Sequence, residues 1–351
     1  GMGWALLGVG LLLALYTLLR YGLRPAALSP CSRTELRGRT AIVTGERRER
    51  PPGTAPPWPG PRAHRSVPFP SAGGSGGIGA ATALELARGG ARVVLAARNA
   101  LRGEATARRI RTETGNPEVR FMQLDLASLR SVRAFASAFL RQEPHLHLLI
   151  NNAGVSAGGT TEDGFSLSFQ VNHLGHFLLT QLLLERLQSC APSRVVIVAS
   201  RAHCAGRLHP DTLGRPPPGP LSAFQDYCDS KLANVLHARE LATRLQGTQV
   251  TCYALHPGFV NTELFRHTPL WLKPFFFPLV WLFFCEAAEG AQTSLYCATQ
   301  EGLECFSGRY FADCHLQEPW PQARDDRLAR TLWDASERLV GLVGPGESPS
   351  P

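Results

Sequence analysis

Five short runs in this chain are apolar along almost their whole length: ARVVLAA (91–97), VRFMQL (119–124), LHLLIN (146–151), RVVIVAS (194–200) and QVTCYALH (249–256). A strand with one solvent face alternates apolar and polar residues. Runs without that alternation belong in a sheet covered on both sides. Helix-length segments separate them, at 79–89, 100–114, 128–142, inside 166–188 and at 223–246, and a late strand is expected near 308–312. Buried strands alternating with helices of ten residues or more predict one doubly wound, parallel α/β domain. With 351 residues and 44% apolar content the chain can bury one large core, and no internal repeat divides it.

A sixth apolar run, Ala41-Ile42-Val43, leads into Thr44-Gly45, and the sequence then breaks. It resumes at Gly74-Ser75-Gly76-Gly77-Ile78-Gly79 before the helical AATALELARGG. With residues 46–73 removed, a strand–Thr-Gly-x-x-x-Gly-Ile-Gly–helix remains, the phosphate-binding turn of a Rossmann-like dinucleotide fold. Small residues are needed there because the chain turns tightly and a pyrophosphate must reach backbone N–H groups at a helix N-terminus. Such a glycine turn alone is common; its place between a buried strand and a helix gives it weight.

The net charge of +8 could suggest a polyanion partner. Residues 46–73 supply +3 of it, with Arg47, Arg48, Arg50, Arg62 and Arg65 against Glu46 and Glu49, and the rest is scattered. No basic stripe or recognition motif accompanies it, so nucleic acid is not expected. The nine cysteines are odd in number and form no C-x-x-C pair, which reads as reduced thiols in a reducing compartment and no metal site. Residues 3–19 are largely apolar, about the lower limit for spanning a bilayer. A cleaved secretory signal competes with this reading, but the run lacks a basic leader and a small-x-small cleavage site. Arg20 and Arg24 follow it, so residues 1–24 are expected to be a signal anchor with the following chain in the cytosol. Residues 205–222, with PPPGP, read as an irregular loop, and residues 343–351 as a disordered tail. Residues 264–285 are intensely apolar and aromatic, but Pro269, Pro274 and Pro278 interrupt any straight helix. A second membrane segment, a core element and a lid over an apolar ligand all remain open, and the prolines with Lys273 favour the lid, with partial membrane contact.

Tyr227 and Lys231 stand four apart in YCDSK at the start of a helix and share one face. A cation beside a phenol favours the phenolate, so this pair is a candidate proton-transfer group. Tyr-x-x-x-Lys is frequent by chance and often only an exposed helical pair. Its company here is Ser200 at a strand end, NNAG at 151–154 and Asn172 in FQVNHLGHF, the strand-end residues all falling at the carboxyl edge of the sheet. His203 and Cys228 are close in sequence but are read as bystanders.

Together with KLANVLHAREL (231–241), QVTCYALHPG (249–258), GAQTSLYCATQEGLECFSGRYFADCH (290–315) and ARDDRLARTLWDASERL (323–339), these motifs resemble those of the short-chain dehydrogenases/reductases, and among them the microsomal retinol dehydrogenases. The resemblance spans 36–342 apart from 46–73, which marks 36–342 as the catalytic domain. It implies Tyr227 as general acid/base, Lys231 lowering its pKa and holding the nicotinamide ribose, Ser200 bonding the substrate oxygen, and Asn172 anchoring a relay water. Ser200 and Tyr227 are more widely separated than in compact members of the family, as they are in its retinoid-active members. Cofactor contacts would come from Gly45, Gly74, Ser75, Gly77, Ile78 and Gly79 on the phosphates, and from Asp125 and Leu126 near the adenine. Asn151, Ala153 and Gly154 would line the nicotinamide, with Tyr227 and Lys231, and Pro257, Gly258, Val260 and Thr262 would close over the carboxamide. The second strand ends Leu95-Ala96-Ala97-Arg98, with a cation where NAD enzymes place a carboxylate, so NADP(H) is expected.

The expected activity is hydride transfer between NADP(H) and a membrane-soluble primary alcohol or aldehyde, with retinol and retinal as the family's substrates, at an endoplasmic reticulum membrane. A nucleotide-sugar epimerase shares Tyr-x-x-x-Lys, but NNAG and the three-residue glycine spacing count against it. A catalytically impaired, membrane-tethered relative is the other alternative, because the glycine turn is broken. Gly45-Glu46 can be encoded GGT GAG and Pro68–Gly73 as a pyrimidine-rich tract ending in GCAG. Splicing after the first base of codons 45 and 73 would restore Thr44-Gly-Gly74-Ser75-Gly76-Gly77-Ile78-Gly79, so residues 46–73 are expected to be retained intron and disordered if translated. The sequence does not specify the oligomeric state.

Overall fold

The computed structural model describes residues 35–45, 77–219, 221–258 and 287–344. Eight strands form one sheet: β1 Thr40–Thr44, β2 Arg92–Ala97, β3 Val119–Gln123, β4 Leu148–Asn151, β5 Ser193–Val198, β6 Val250–His256, β7 Tyr310–Ala312 and β8 His315–Gln317. Their order is β3-β2-β1-β4-β5-β6-β7-β8, parallel except for the β7–β8 hairpin. The strand order reverses between β1 and β4, which opens a crevice beyond the carboxyl ends of those strands, the usual ligand site in such sheets.

Successive residues of each strand feed opposite cores. Ile42, Leu149, Val195, Ile197 and Ala254 face one side, and Ala41, Val43, Ile150, Val196, Tyr253 and Leu255 the other. The first side is covered by α3 (Leu129–Gln142), α4 (Gly175–Ser189), α5 (Ser222–Arg244) and α7 (Asp326–Leu339), and the second by α1 (Ile78–Arg88), α2 (Ala100–Thr114) and α6 (Ala287–Thr299). Each fully buried Leu, Ile or Phe in these layers contributes about 1.5–3 kcal/mol of transfer free energy. Local signals set the ends of the helices. Asn99, Ser128 and Asp325 accept backbone N–H groups at the starts of α2, α3 and α7, and Gly115, at φ +69°, closes α2 in the left-handed region.

The predicted strands and helices are present within a residue or two of their expected bounds. Three elements were not foreseen. Helix α7 carries its own signature, an Asp325 cap and apolar residues at Leu328, Leu332, Trp333 and Leu339. Helix α6, AAEGAQTSLYCAT, carries Gly290 and two β-branched threonines, residues of low helix propensity that leave its periodicity weak. Strand β8 has three residues and depends on a turn in which Asp313 and Cys314 both have positive φ, 51° and 58°. Neither is glycine; Cys314 N–H donates to Thr293 Oγ1 on α6 at 3.2 Å, a tertiary contact that holds the turn. The expectations for residues 3–19, 46–73, 264–285 and 345–351 lie outside the described residues. Among the described residues no helix is long and apolar enough to cross a membrane.

Candidate active site

The carboxyl ends of β1, β4 and β5 and the N-terminal half of α5 converge on one edge of the sheet. Thr44, the last residue of β1 and fully buried, organises the turn there. Its Oγ1 accepts from the N–H groups of Asn152 (2.9 Å) and Ala153 (3.0 Å), and its carbonyl accepts from Asn152 Nδ2 at 2.8 Å. Gly79 enters α1 against this pair: a Cβ there would lie 2.5 Å from Asn152 Nδ2 and 3.1 Å from Thr44 O. Among the described residues, no atom would come within 4 Å of a Cβ at Gly45 or Gly77. The helix start is thus packed closely on the strand end, while the two glycine backbones meet no other described residue, as a pyrophosphate cradle needs.

On the other side of the crevice, a helical turn at Leu167–Phe169 passes through a π turn, Gln170–Leu174, into α4. Asn172 sits in the π turn with no exposed surface. Its Oδ1 accepts from Val155 N at 2.7 Å, and its Nδ2 donates to Val155 O and Ser230 Oγ, both at 2.9 Å. Gly154 lies directly over this side chain: a Cβ there would be 3.3 Å from Lys231 Nζ and 3.4 Å from Asn172 Oδ1. Asn172, Lys231 and the NNAG backbone therefore share one point in space.

Lys231 is 3% exposed, and burial pulls its pKa down to about 8. Its Nζ donates to Val198 O at 3.0 Å and lies 5.6 Å from the centre of the Tyr227 ring. Several groups act on the Tyr227 phenol. Burial, the largest effect, raises its pKa, a hydrogen bond with Ser200 lowers it in part, and Cys228 adds to the rise. Ser200 begins the 3-10 turn Arg201–Ala205 just beyond β5, and its Oγ accepts from Ala202 N at 3.2 Å, so the hydroxyl proton is available to a partner.

The remaining expected contacts divide. Arg98 is exposed at the end of β2, beside the Asn99 cap of α2. Ile78 opens α1 at the crevice. Asp125 is partly exposed, and its Oδ1 accepts from Ala127 N at 3.0 Å. The Leu126 side chain lies in the core, where Gly175 leaves room for it, so only its backbone can face a ligand. The Asn151 side chain is also turned inward, its Nδ2 donating to Thr180 Oγ1 at 2.9 Å. Ala153 is buried beside Thr44, and Pro257 and Gly258, the latter at φ +85°, follow β6 partly exposed. Gly74, Ser75, Val260 and Thr262 lie outside the described residues. His203 and Cys228 are both buried beside the site. His203 Nδ1 donates to Ser200 O at 2.6 Å and its Nε2 accepts from Trp320 N at 3.2 Å, while Cys228 is fully buried with its thiol pushed up to about 12 by burial.

Two residues of the site were not singled out in advance as its members. Thr44 was read only as part of the turn, and His176 not at all. The spacing Asn172, His176, Thr180 on one helix face was the available signal.

A short chain dehydrogenase family profile matches residues 72–211, beginning where the interrupted turn resumes. The chain is 56% identical over 348 residues to dehydrogenase/reductase SDR family member 13 of Homo sapiens, covering 99% of this chain and 84% of that protein. It is 50% identical over 277 residues to retinol dehydrogenase 11 of Homo sapiens, covering 77% and 85%. Among solved structures, a putative uncharacterized protein from Mycobacterium paratuberculosis is 31% identical with a TM-score of 0.66, covering 89% of this chain and 98% of that one.

Proposed function

This chain belongs to the short-chain dehydrogenase/reductase family, and from that premise we propose that it is an NADP(H)-dependent oxidoreductase acting on a membrane-soluble primary alcohol or aldehyde, with retinol and retinal as the leading pair. The observation that carries the proposal is the meeting of Asn172, Lys231 and Gly154 at the crevice, with Ser200 and Tyr227 on the adjoining strand end and helix. When bound, the nicotinamide supplies hydride to an aldehyde or takes it from an alcohol.

The protein's own groups manage the proton and the substrate oxygen. Tyr227, held protonated by burial, would donate to the carbonyl oxygen during reduction, and Ser200, hydrogen-bonded to Tyr227, would turn its hydroxyl to the same oxygen once substrate is bound. Lys231, with a pKa of about 8, can reload the phenol through a water held at Asn172. Gly45, Gly77, Ile78 and Gly79, with Gly74 and Ser75, would hold the pyrophosphate. Arg98 would pair with a 2′-phosphate, which favours NADP(H) over NAD(H). The substrate class rests on the likeness to retinol dehydrogenases, and residues 264–285 would cover an apolar ligand and touch the membrane. Residues 3–19 would anchor the protein at the endoplasmic reticulum with its catalytic domain in the cytosol.

The test is turnover of all-trans-retinal and a long-chain aldehyde with NADPH. Purified full-length protein should reduce at least one of them, and Tyr227→Phe should lose at least about a hundredfold in kcat. No turnover, with Tyr227→Phe indistinguishable, would overturn the assignment. The break between Gly45 and Gly74 favours a second reading, a membrane-tethered relative without catalysis. Titration of NADPH fluorescence separates the two: binding near micromolar supports the enzyme, and none up to millimolar supports the impaired relative.

A further inference from the structure

His176 lies in the first turn of α4 and is 1% exposed. Its Nδ1 is 3.1 Å from the backbone carbonyl oxygen of Asn172, and its Nε2 is 2.9 Å from Thr44 Oγ1. A carbonyl oxygen can only accept, so Nδ1 carries the proton, and Nε2 is left to accept from the Thr44 hydroxyl. Thr44 Oγ1 can still take the Asn152 and Ala153 N–H groups on its lone pairs. The alternative, in which Thr44 donates to Ile150 O at 3.3 Å, uses the longer contact and leaves Nε2 without a donor unless the ring is doubly protonated. Double protonation is disfavoured: burial holds the pKa of His176 down to about 4, the Asn172 hydrogen bond opposes this, and Lys231 adds repulsion.

One neutral imidazole therefore joins three segments: the end of β1, the loop after β4 and the π turn. The π turn makes the junction possible, because it shifts the helical ladder by a residue, as where Gly175 N–H meets Gln170 O. We propose that His176 is a positioning residue for proton delivery, fixing the Asn172 backbone to the strand end that opens the cofactor turn. Asn172 in turn holds Val155 and Ser230 and lies beside Lys231 across Gly154. If the Asn172 backbone shifts, its side chain and the loop over Lys231 shift with it. This inference rests on the oxidoreductase reading for its kinetic consequence but not for its structural one.

The experiment uses full-length protein and the variants His176→Asn and His176→Leu. Asn can still donate near the Nδ1 position but gives up the reach to Thr44, so it isolates the hold on the Asn172 carbonyl, whereas Leu keeps the volume and removes both bonds. Amide hydrogen exchange at Val155, bonded to Asn172 Oδ1, should accelerate at least tenfold in His176→Leu and return to within threefold of the parent in His176→Asn. Amides inside β5 should not change. The 15N shifts of the parent ring should report a neutral Nδ1–H tautomer. With an aldehyde substrate, kcat should fall at least tenfold in His176→Leu while the NADPH Kd stays within threefold, and His176→Asn should recover most of kcat. An unchanged Val155 exchange rate, an Nε2–H tautomer, or equal loss in both variants would overturn the proposal. A parent protein that turns over no aldehyde would count against the oxidoreductase reading alone, because the exchange and tautomer measurements decide the role of His176 without turnover.

Discussion

Gly79 is the residue whose substitution the packing most directly forbids at the cofactor turn. An alanine methyl would meet Asn152 Nδ2 at 2.5 Å while that amide is already bonded to Thr44 O. Gly79→Ala should therefore cost about 1–3 kcal/mol of stability by overpacking, measured by urea unfolding, and should weaken NADPH binding. Gly77→Ala meets no other described residue and should be near neutral for stability. Arg98 offers an independent test of cofactor choice. A charge-assisted hydrogen bond is worth about 1.5–3 kcal/mol, so Arg98→Asp should raise the NADPH Kd about tenfold to a hundredfold and leave the NADH Kd equal or lower. Unchanged preference between the two cofactors would remove Arg98 from the phosphate site. At this scale much of the site was legible. Tyr227, Lys231, Ser200 and Asn172 were named from spacing and resemblance. The orientation of Lys231 toward Val198 was not, because which partner an ammonium takes depends on a strand far away in sequence.

The layer formed by α4, α5 and α7 buries three histidines, His173, His176 and His237, none more than 2% exposed. Burial holds His173 at about 3 and His176 at about 4, and His237 well below its usual value. A histidine whose folded pKa is lowered stabilises the fold fully above its unfolded pKa of about 6.5 and loses that contribution as pH falls. Each should remove about 1.4 kcal/mol per pH unit once below that point. The thermal midpoint should therefore fall steeply between pH 6.5 and 5. Asp226 and Asp229, raised chiefly by burial, act in the opposite sense but only nearer the carboxylate range. Among the described residues, neither ring nitrogen of His237 has a hydrogen-bond partner. Replacing a buried, unsatisfied group by an apolar one of similar size removes a penalty of about 1–3 kcal/mol, so His237→Leu should raise the midpoint and flatten its acid dependence. A flat midpoint over this range, or a destabilised His237→Leu, would contradict this account. The helices themselves were readable from periodicity, but the π turn at Gln170–Leu174 was not, since its composition is that of an ordinary helix and only packing inserts the extra residue.

Across the whole molecule, Gly45 and Gly77, on either side of the interrupted turn, are both bonded into the fold. Gly45 N–H reaches Ala96 O at 2.9 Å, and Gly77 O accepts from Ala80 and Ala81. Closing a loop of 28 residues costs only about 3 kcal/mol of chain entropy. Deleting 46–73 should accordingly raise stability modestly and tighten NADPH binding by at least tenfold, measured by fluorescence titration on both forms. Equal affinity would show that the cradle does not need a continuous turn, and a mature message containing those codons would refute their being intron. The sequence by itself determined the sheet, its parallel winding and the positions of the reactive side chains, because apolar runs, caps and fixed spacings are local in the chain. Tertiary structure alone decided that β1, the NNAG loop and the π turn meet through Thr44 and His176, that Lys231 faces β5, and that β8 forms on a non-glycine turn. Each of these depends on partners brought together from distant parts of the chain, and no pattern within a single segment encodes such a meeting.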